Sequence, residues 1–154
     1  MEIEQSSANI FKYQFDIAIN QSVNKVWAVM FDQINEWWMG DYRALGSDSV
    51  ISLQPQPGGT LLESSGDGAT LEWYRVQMCI PNKSLHLVGY LAPDWGGPTT
   101  SMLKLSLAEE GDTCVLTVSD ALVGNVTEGS AKSAKNGWRE MFQSGLKRFV
   151  EGIH

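Results

Sequence analysis

Asp120 is the side chain in this sequence with the most chemical promise, because it continues a face that Cys114, Leu116 and Val118 make apolar at a strand's period of two. A carboxylate on such a face must be paired, protonated or set at a cavity mouth, since desolvation disfavours its charge. Either the strand twists Asp120 outward, or Asp120 caps the turn before Gly124, or it is a polar handle for a bound molecule. Tyr74 offers a second handle, on an alternating run with Val76, Met78 and Ile80 that reads as inward-facing. His86 lies between Leu85 and Leu87 and so points away from the core, while His154 is a frayed last residue. Cys79 and Cys114 sit in apolar strand context without CxxC spacing, which predicts reduced, buried thiols. With no HExxH, Cys/His cluster or carboxylate triad, neither a metal nor a cofactor is expected. Gly124 and Gly129 have the P-loop interval, yet Ser130 stands where the phosphate-reaching lysine must be. No nucleophile has an obvious basic partner, so no catalytic residue is assigned and an enzyme is the less favoured reading.

These side chains need elements to carry them. Phe11, Tyr13, Phe15, Ile17 and Ile19 alternate with mostly polar residues, which predicts a first strand. Val23, Val26, Trp27, Met30 and Phe31 then follow helical spacing, with Asn20 or Ser22 as N-cap, and a second short helix is predicted over 34–39 before Gly40. Strands over 49–54, 60–64, 71–80, 85–91, 99–109 and 113–122 follow, separated by turn signals such as Pro57-Gly58-Gly59 and Glu110-Gly111-Asp112. The last element is an apolar stripe at helical spacing, from Ala131 and Ala134 through Trp138, Met141, Phe142 and Leu146 to Val150. Asn125 with Glu128 predicts its capping box. Gly137 and Gly145 interrupt that stripe, and each requires a reason, either close approach of the sheet or space for a ligand.

The six tryptophans divide by context. Trp27 is expected in the core, with Trp37 its uncertain neighbour. Trp38 is a candidate for the core or for a cavity entrance. Trp95, in the loop Pro93-Asp94-Trp95-Gly96-Gly97-Pro98, would expose a large apolar area unless a partner or ligand covers it. Trp138, Met141 and Phe142 supply the helical wall of a candidate cavity.

Composition bounds the function. At 154 residues with 43% hydrophobic and 19% charged, the chain suits one globular domain over 1–154, with a core over 11–152 and residues 1–8 loosely ordered. A net charge of -7 with eleven scattered basic residues argues against nucleic-acid binding. The acidic start lacks a signal peptide's pattern and no stretch has transmembrane length, so no membrane insertion and a cytoplasmic location are expected. The glycosylation-like triplets at Asn20, Asn82 and Asn125 then read as turn and cap chemistry.

One strand, two short helices, a six-strand meander and a long last helix is the order of the helix-grip or Bet v 1-like fold. The chain resembles the START/SRPBCC superfamily, and within it the branch named after the activator of Hsp90 ATPase homologue. The carrying residues are Val26-Trp27, Trp37-Trp38, Pro57-Gly58-Gly59-Thr60, Val76 ahead of Pro81 and Leu85, and Gly137-Trp138 with Leu146-Lys147. One departure is the bulky Trp73-Tyr74 where a Gly usually precedes the strand's valine. The resemblance implies an α+β helix-grip domain, a curved antiparallel sheet of about six to seven strands wrapped around the long C-terminal helix. It leaves function among three readings. The leading one is a cavity for a small apolar ligand, with Trp38, Tyr74, Trp95, Asp120, Trp138, Met141 and Phe142 as binding residues. The others are an Hsp90 co-chaperone-like partner-binding protein and a cyclase- or aromatase-like enzyme using Asp120 for proton transfer. Contact with a chaperone or a second copy of the chain stays open.

Overall fold

The strand-like alternation that begins the chain is completed at its far end. In the computed structural model, which describes residues 2–153 and so leaves His154 outside, β1 (Asn9–Ile19) pairs antiparallel with β7 (Thr113–Gly124), placing Tyr13 opposite Asp120. The other strands are β2 (Val50–Leu53), β3 (Thr60–Ser64), β4 (Thr70–Ile80), β5 (Ser84–Leu91) and β6 (Thr99–Glu110), and the sheet order is β1-β7-β6-β5-β4-β3-β2. Because β1 and β2 are opposite edges, the intervening chain must cross a sheet about 29 Å wide at ordinary strand spacing. Helices α1 (Val23–Asp32) and α2 (Ile34–Trp37) make that crossing, and their buried faces join the core. Ser22 caps α1 through its hydroxyl, which accepts from the Lys25 N–H.

The terminal helix, α3, starts at Glu128 and runs through Glu140 into a π-helical stretch, Met141–Lys147, and a last turn at Arg148–Glu151. Its N-cap is Thr127 rather than Asn125, with Ser130 closing the capping box. Asn125 serves the neighbouring loop, where its amide donates to the carbonyls of Gly96 and Gly97. At the other end Lys147 donates to the Ala18 carbonyl and to Glu151, and Glu151 accepts from the Asn20 N–H, which fastens the helix to the end of β1. No helix among the described residues is long and apolar enough to cross a membrane.

The architecture is the helix-grip one, a seven-stranded antiparallel sheet with two short helices after β1 and a long C-terminal helix. Within it the face of β4 differs from the sequence expectation. A register shift between Val76 and Met78 breaks the period of two, so Tyr74 and Val76 are buried while Met78 and Ile80 are 41% and 42% exposed. The shift also leaves Cys79 half-buried, whereas Cys114 is buried as expected. Trp27 is not a full core residue: it is half-buried, edge-on to Phe31 with ring centroids 4.7 Å apart. Trp37 is the core member instead, its indole donating to the Met30 carbonyl.

Candidate functional site

Between the sheet and α3 lies a cavity of about 560 Å³, inside the range of small-molecule sites. Its helical wall is Ser130, Ser133, Ala134, Gly137, Trp138 and Met141, and its sheet wall includes Trp73, Tyr74, Gly89, Ser101 and Asp120. Trp38 and the segment 41–44 close one side. Aromatic rings are the dominant surface. Trp38 sits 6.1 Å from Trp73 and 6.0 Å from Trp138, Trp73 6.2 Å from Trp95, and Tyr74 5.8 Å from Trp138. Trp95 is 48% exposed at the mouth, so part of its ring is covered by Trp73 and part is free.

The two reasons offered for the helix glycines separate. A Cβ on Gly145 would come 2.7 Å from the Trp37 carbonyl, so this glycine exists for close approach, to α2 rather than to the sheet. A Cβ on Gly137 would meet only Tyr42 Cε1 at 3.6 Å, an ordinary contact, and Gly137 lines the cavity. Tyr42 reaches across to α3, donating to Glu140 at 2.7 Å. The π-helical stretch turns Met141 inward, where its sulfur accepts from the Met39 N–H at 3.4 Å. Phe142 lies behind the cavity wall, stacked on Trp138 at 5.5 Å and buried against Trp37.

Asp120 stays inside and is 4% exposed. Tyr13 donates to its Oδ2 at 2.7 Å and Ser101 to its Oδ1 at 2.8 Å, while Tyr74 Oη lies 2.8 Å from Ser101 Oγ. Four residues on four strands thus form one continuous chain. Burial pushes the Asp120 carboxyl up, opposed by the donors from Tyr13, Ser101 and the Ala121 N–H. Burial and the neighbouring carboxylate likewise push both tyrosine hydroxyls up, so each stays protonated and able to donate. Gly89 permits the geometry: a Cβ there would lie 2.6 Å from the Trp73 carbonyl and 2.8 Å from the Tyr74 ring, so the ring crosses β5 over this glycine to reach β6. A glycine inside the run Leu85–Leu91 was the sequence signal for that close approach. Tyr13, Ser101 and Trp73 were missed, since nothing local to them marks a site.

Glu63 was missed as well. It is wholly buried on β3 and accepts from the Ala44 and Leu45 N–H groups, from the Ser49 hydroxyl and from the Trp73 indole at 2.7–3.0 Å. Burial alone would raise its pKa, but the four donors together hold it below the ordinary glutamate value. Glu63 therefore pins both Trp73 and the segment that closes the cavity. Arg43 does similar work from the same segment, donating to the carbonyls of Asn35, Trp38 and Ser49 and to the Asn35 side chain. Among the described residues no group of three His, Cys, Asp or Glu side chains is placed to hold a metal ion.

The model of the family described as Activator of Hsp90 ATPase homolog 1-like protein matches residues 20–151. No curated protein matches the chain. Solved structures do. Protein MLL2253 from Mesorhizobium loti has 19% identity and a TM-score of 0.68, covering 94% of this chain and 99% of its own. CalU16 from Micromonospora echinospora has 21% identity and a TM-score of 0.59, covering 94% and 74%. The Aha1 dimer from Colwellia psychrerythraea has 21% identity and a TM-score of 0.61, covering 92% and 97%. At these identities the likeness is one of fold.

Proposed function

This chain belongs to the family of Activator of Hsp90 ATPase homolog 1-like proteins, and on that premise we propose that it is a single-domain binding protein that encloses a small, largely apolar, flat ligand between its sheet and terminal helix. The observation that carries this reading is the cavity of about 560 Å³ walled by Trp38, Trp73, Tyr74 and Trp138. These rings touch one another in tilted and edge-on pairs with centroids near 6 Å apart, which makes a continuous aromatic wall for a planar molecule to lie against. Burying about 300 Å² of apolar ligand surface would supply roughly 7–8 kcal/mol before association costs. Tyr74 and Asp120 lie on the wall as polar groups that orient the ligand, and Trp95 partly covers the mouth.

Native mass spectrometry of the protein purified from its own host tests the reading. A retained apolar adduct is expected, as is quenching of tryptophan fluorescence on titration with naphthalene derivatives. A protein that carries no small molecule and whose fluorescence no arene changes is not this binding domain.

A second reading is favoured by the comparisons more directly than the first: a partner-binding protein acting on a chaperone. The family description names an activator of the Hsp90 ATPase, and one similar structure is an Aha1 dimer. Co-purification with Hsp90, or stimulation of its ATPase, would support that role, and absence of both retires it. Both readings belong in a reducing cytosol, in keeping with the free Cys79 and Cys114.

A further inference from the structure

The hydrogen-bond chain in the cavity wall has a direction, and counting protons shows what sets it. An ionised carboxylate accepts only. Tyr13 and Ser101 both donate to Asp120, which spends the single hydroxyl proton of Ser101. The contact between Tyr74 Oη and Ser101 Oγ must then be made with the Tyr74 proton. Tyr74 is left presenting an oxygen lone pair to the cavity. A hydroxyl on an aromatic ligand can donate to that lone pair. If Asp120 carries a proton on Oδ1, Tyr13 still donates to Oδ2 but the bonds beyond Oδ1 reverse: Asp120 donates to Ser101, Ser101 donates to Tyr74, and Tyr74 donates into the cavity.

We propose that the Tyr13, Asp120, Ser101 and Tyr74 chain is a reversible relay whose direction is set by the proton on Asp120, so that the cavity selects aromatic ligands bearing a hydroxyl when the carboxylate is ionised and loses that preference when it is protonated. The inference rests on the ligand-binding reading above and adds the ligand's chemistry to it. Tyr74 is the contact residue, and Tyr13, Ser101 and Asp120 act through it as positioning residues.

The surroundings leave this proton as the one that matters. Asp120 is faced by Tyr13 from β1, Ser101 from β6 and Tyr74 from β4. The cavity-lining residues of α3 between Ser130 and Met141 are uncharged. Lys12 and Lys104 stand on the sheet's other face, opposite Ala121 and Ser119. At the rim Asp41 and Glu72 are exposed, Glu72 is paired with Arg75, and the Arg43 guanidinium is committed to backbone and Asn35 acceptors. Burial and the paired hydroxyls keep Asp120 sensitive to its own proton.

The test is a matched series of 2-naphthol, 2-methoxynaphthalene and naphthalene, titrated calorimetrically into wild-type protein near neutral pH and again in acid. The expected result near neutrality is that the naphthol binds roughly tenfold more tightly than its methyl ether, the value of one hydrogen bond to a charge-polarised acceptor. The ratio is expected to collapse in acid, in Asp120→Asn and in Tyr74→Phe, with naphthalene affinity kept in all of them. The wild-type pH comparison stands even if a variant fails to fold. Equal binding of all three compounds near neutrality overturns the relay but leaves the ligand-binding reading intact, as does a naphthol preference that survives Tyr74→Phe or Asp120→Asn. No binding by any of the three overturns the ligand-binding reading itself.

Discussion

Replacing Glu63 by glutamine exchanges one oxygen for an NH₂ group at a site where each oxygen accepts two hydrogen bonds. Oε1 receives the Ala44 N–H and the Trp73 indole at 3.0 Å, and Oε2 receives the Leu45 N–H at 2.8 Å and the Ser49 hydroxyl at 2.7 Å. The amide nitrogen fits best beside Ser49, whose hydroxyl can rotate to accept. Even so the Leu45 N–H then faces another donor and is orphaned at a cost of about 1–3 kcal/mol. The remaining donors exchange a charged acceptor for a neutral one, roughly halving each bond. Relief from burying a charge returns part of this. The expected net loss is about 2–4 kcal/mol at neutral pH, which for a chain of this size lowers Tm by on the order of 10 °C. Urea denaturation should show a lower midpoint with an unchanged slope.

The pH dependence supplies the sharper control. Because the folded protein holds the Glu63 carboxyl below its ordinary value, its contribution is fully present above the unfolded pKa and is lost as pH falls through the lowered one. Wild type and Glu63→Gln should therefore converge in acid. A loss under about 1 kcal/mol at neutral pH, or a gap that stays constant into acid, would refute the assignment. Ligand affinity should fall with stability, because Trp73 and the segment 44–49 lose their common anchor.

Four further outcomes follow from single positions. Gly145→Ala drives a Cβ to 2.7 Å from the Trp37 carbonyl and should destabilise by about 1–3 kcal/mol, whereas Gly137→Ala, with a clear site, should stabilise the helix by about 0.5–1 kcal/mol while narrowing the cavity; chemical denaturation and arene titration read both. Gly89→Ala should displace the Tyr74 ring from Ser101, seen as a changed near-ultraviolet circular dichroism spectrum and loss of naphthol preference; an unchanged spectrum and preference would contradict it. Asp120 has the opposite pH sign to Glu63: its folded-state pKa is raised, so its contribution is full below the unfolded pKa and declines as pH rises through the folded one. The stability difference between wild type and Asp120→Asn should accordingly shift in favour of the variant as pH rises from acid to neutral, and parallel pH profiles would reject the burial argument.

Periodicity is a local property, and what depends on it could be read from the sequence. The alternation from Phe11 to Ile19, the helical stripe from Ala131 to Val150 and the turn glycines between strands sufficed for the helix-grip order, because each records which face of one element must leave water. Trp38, Tyr74 and Asp120 were legible as candidates for the same reason, as polar or aromatic residues on faces that should be apolar. The shifted face of β4 was not, since a bulge between Val76 and Met78 is a mismatch with β5 and exists only when the two strands pair.

The chemistry of the cavity belongs to the tertiary structure alone. Tyr13 and Asp120 are 107 residues apart, Tyr74 and Ser101 27, and Ser101 and Asp120 19, so no spacing in the chain hints at one relay. Their meeting requires β1 to pair with β7 and the Tyr74 ring to pass over Gly89. Glu63 is the same case, an ordinary strand glutamate until a loop brings three donors and β4 a fourth around it. A side chain's type is written in the sequence. Its charge state and the direction in which its hydrogen bonds run are set by burial and by partners, which only the closed fold brings together.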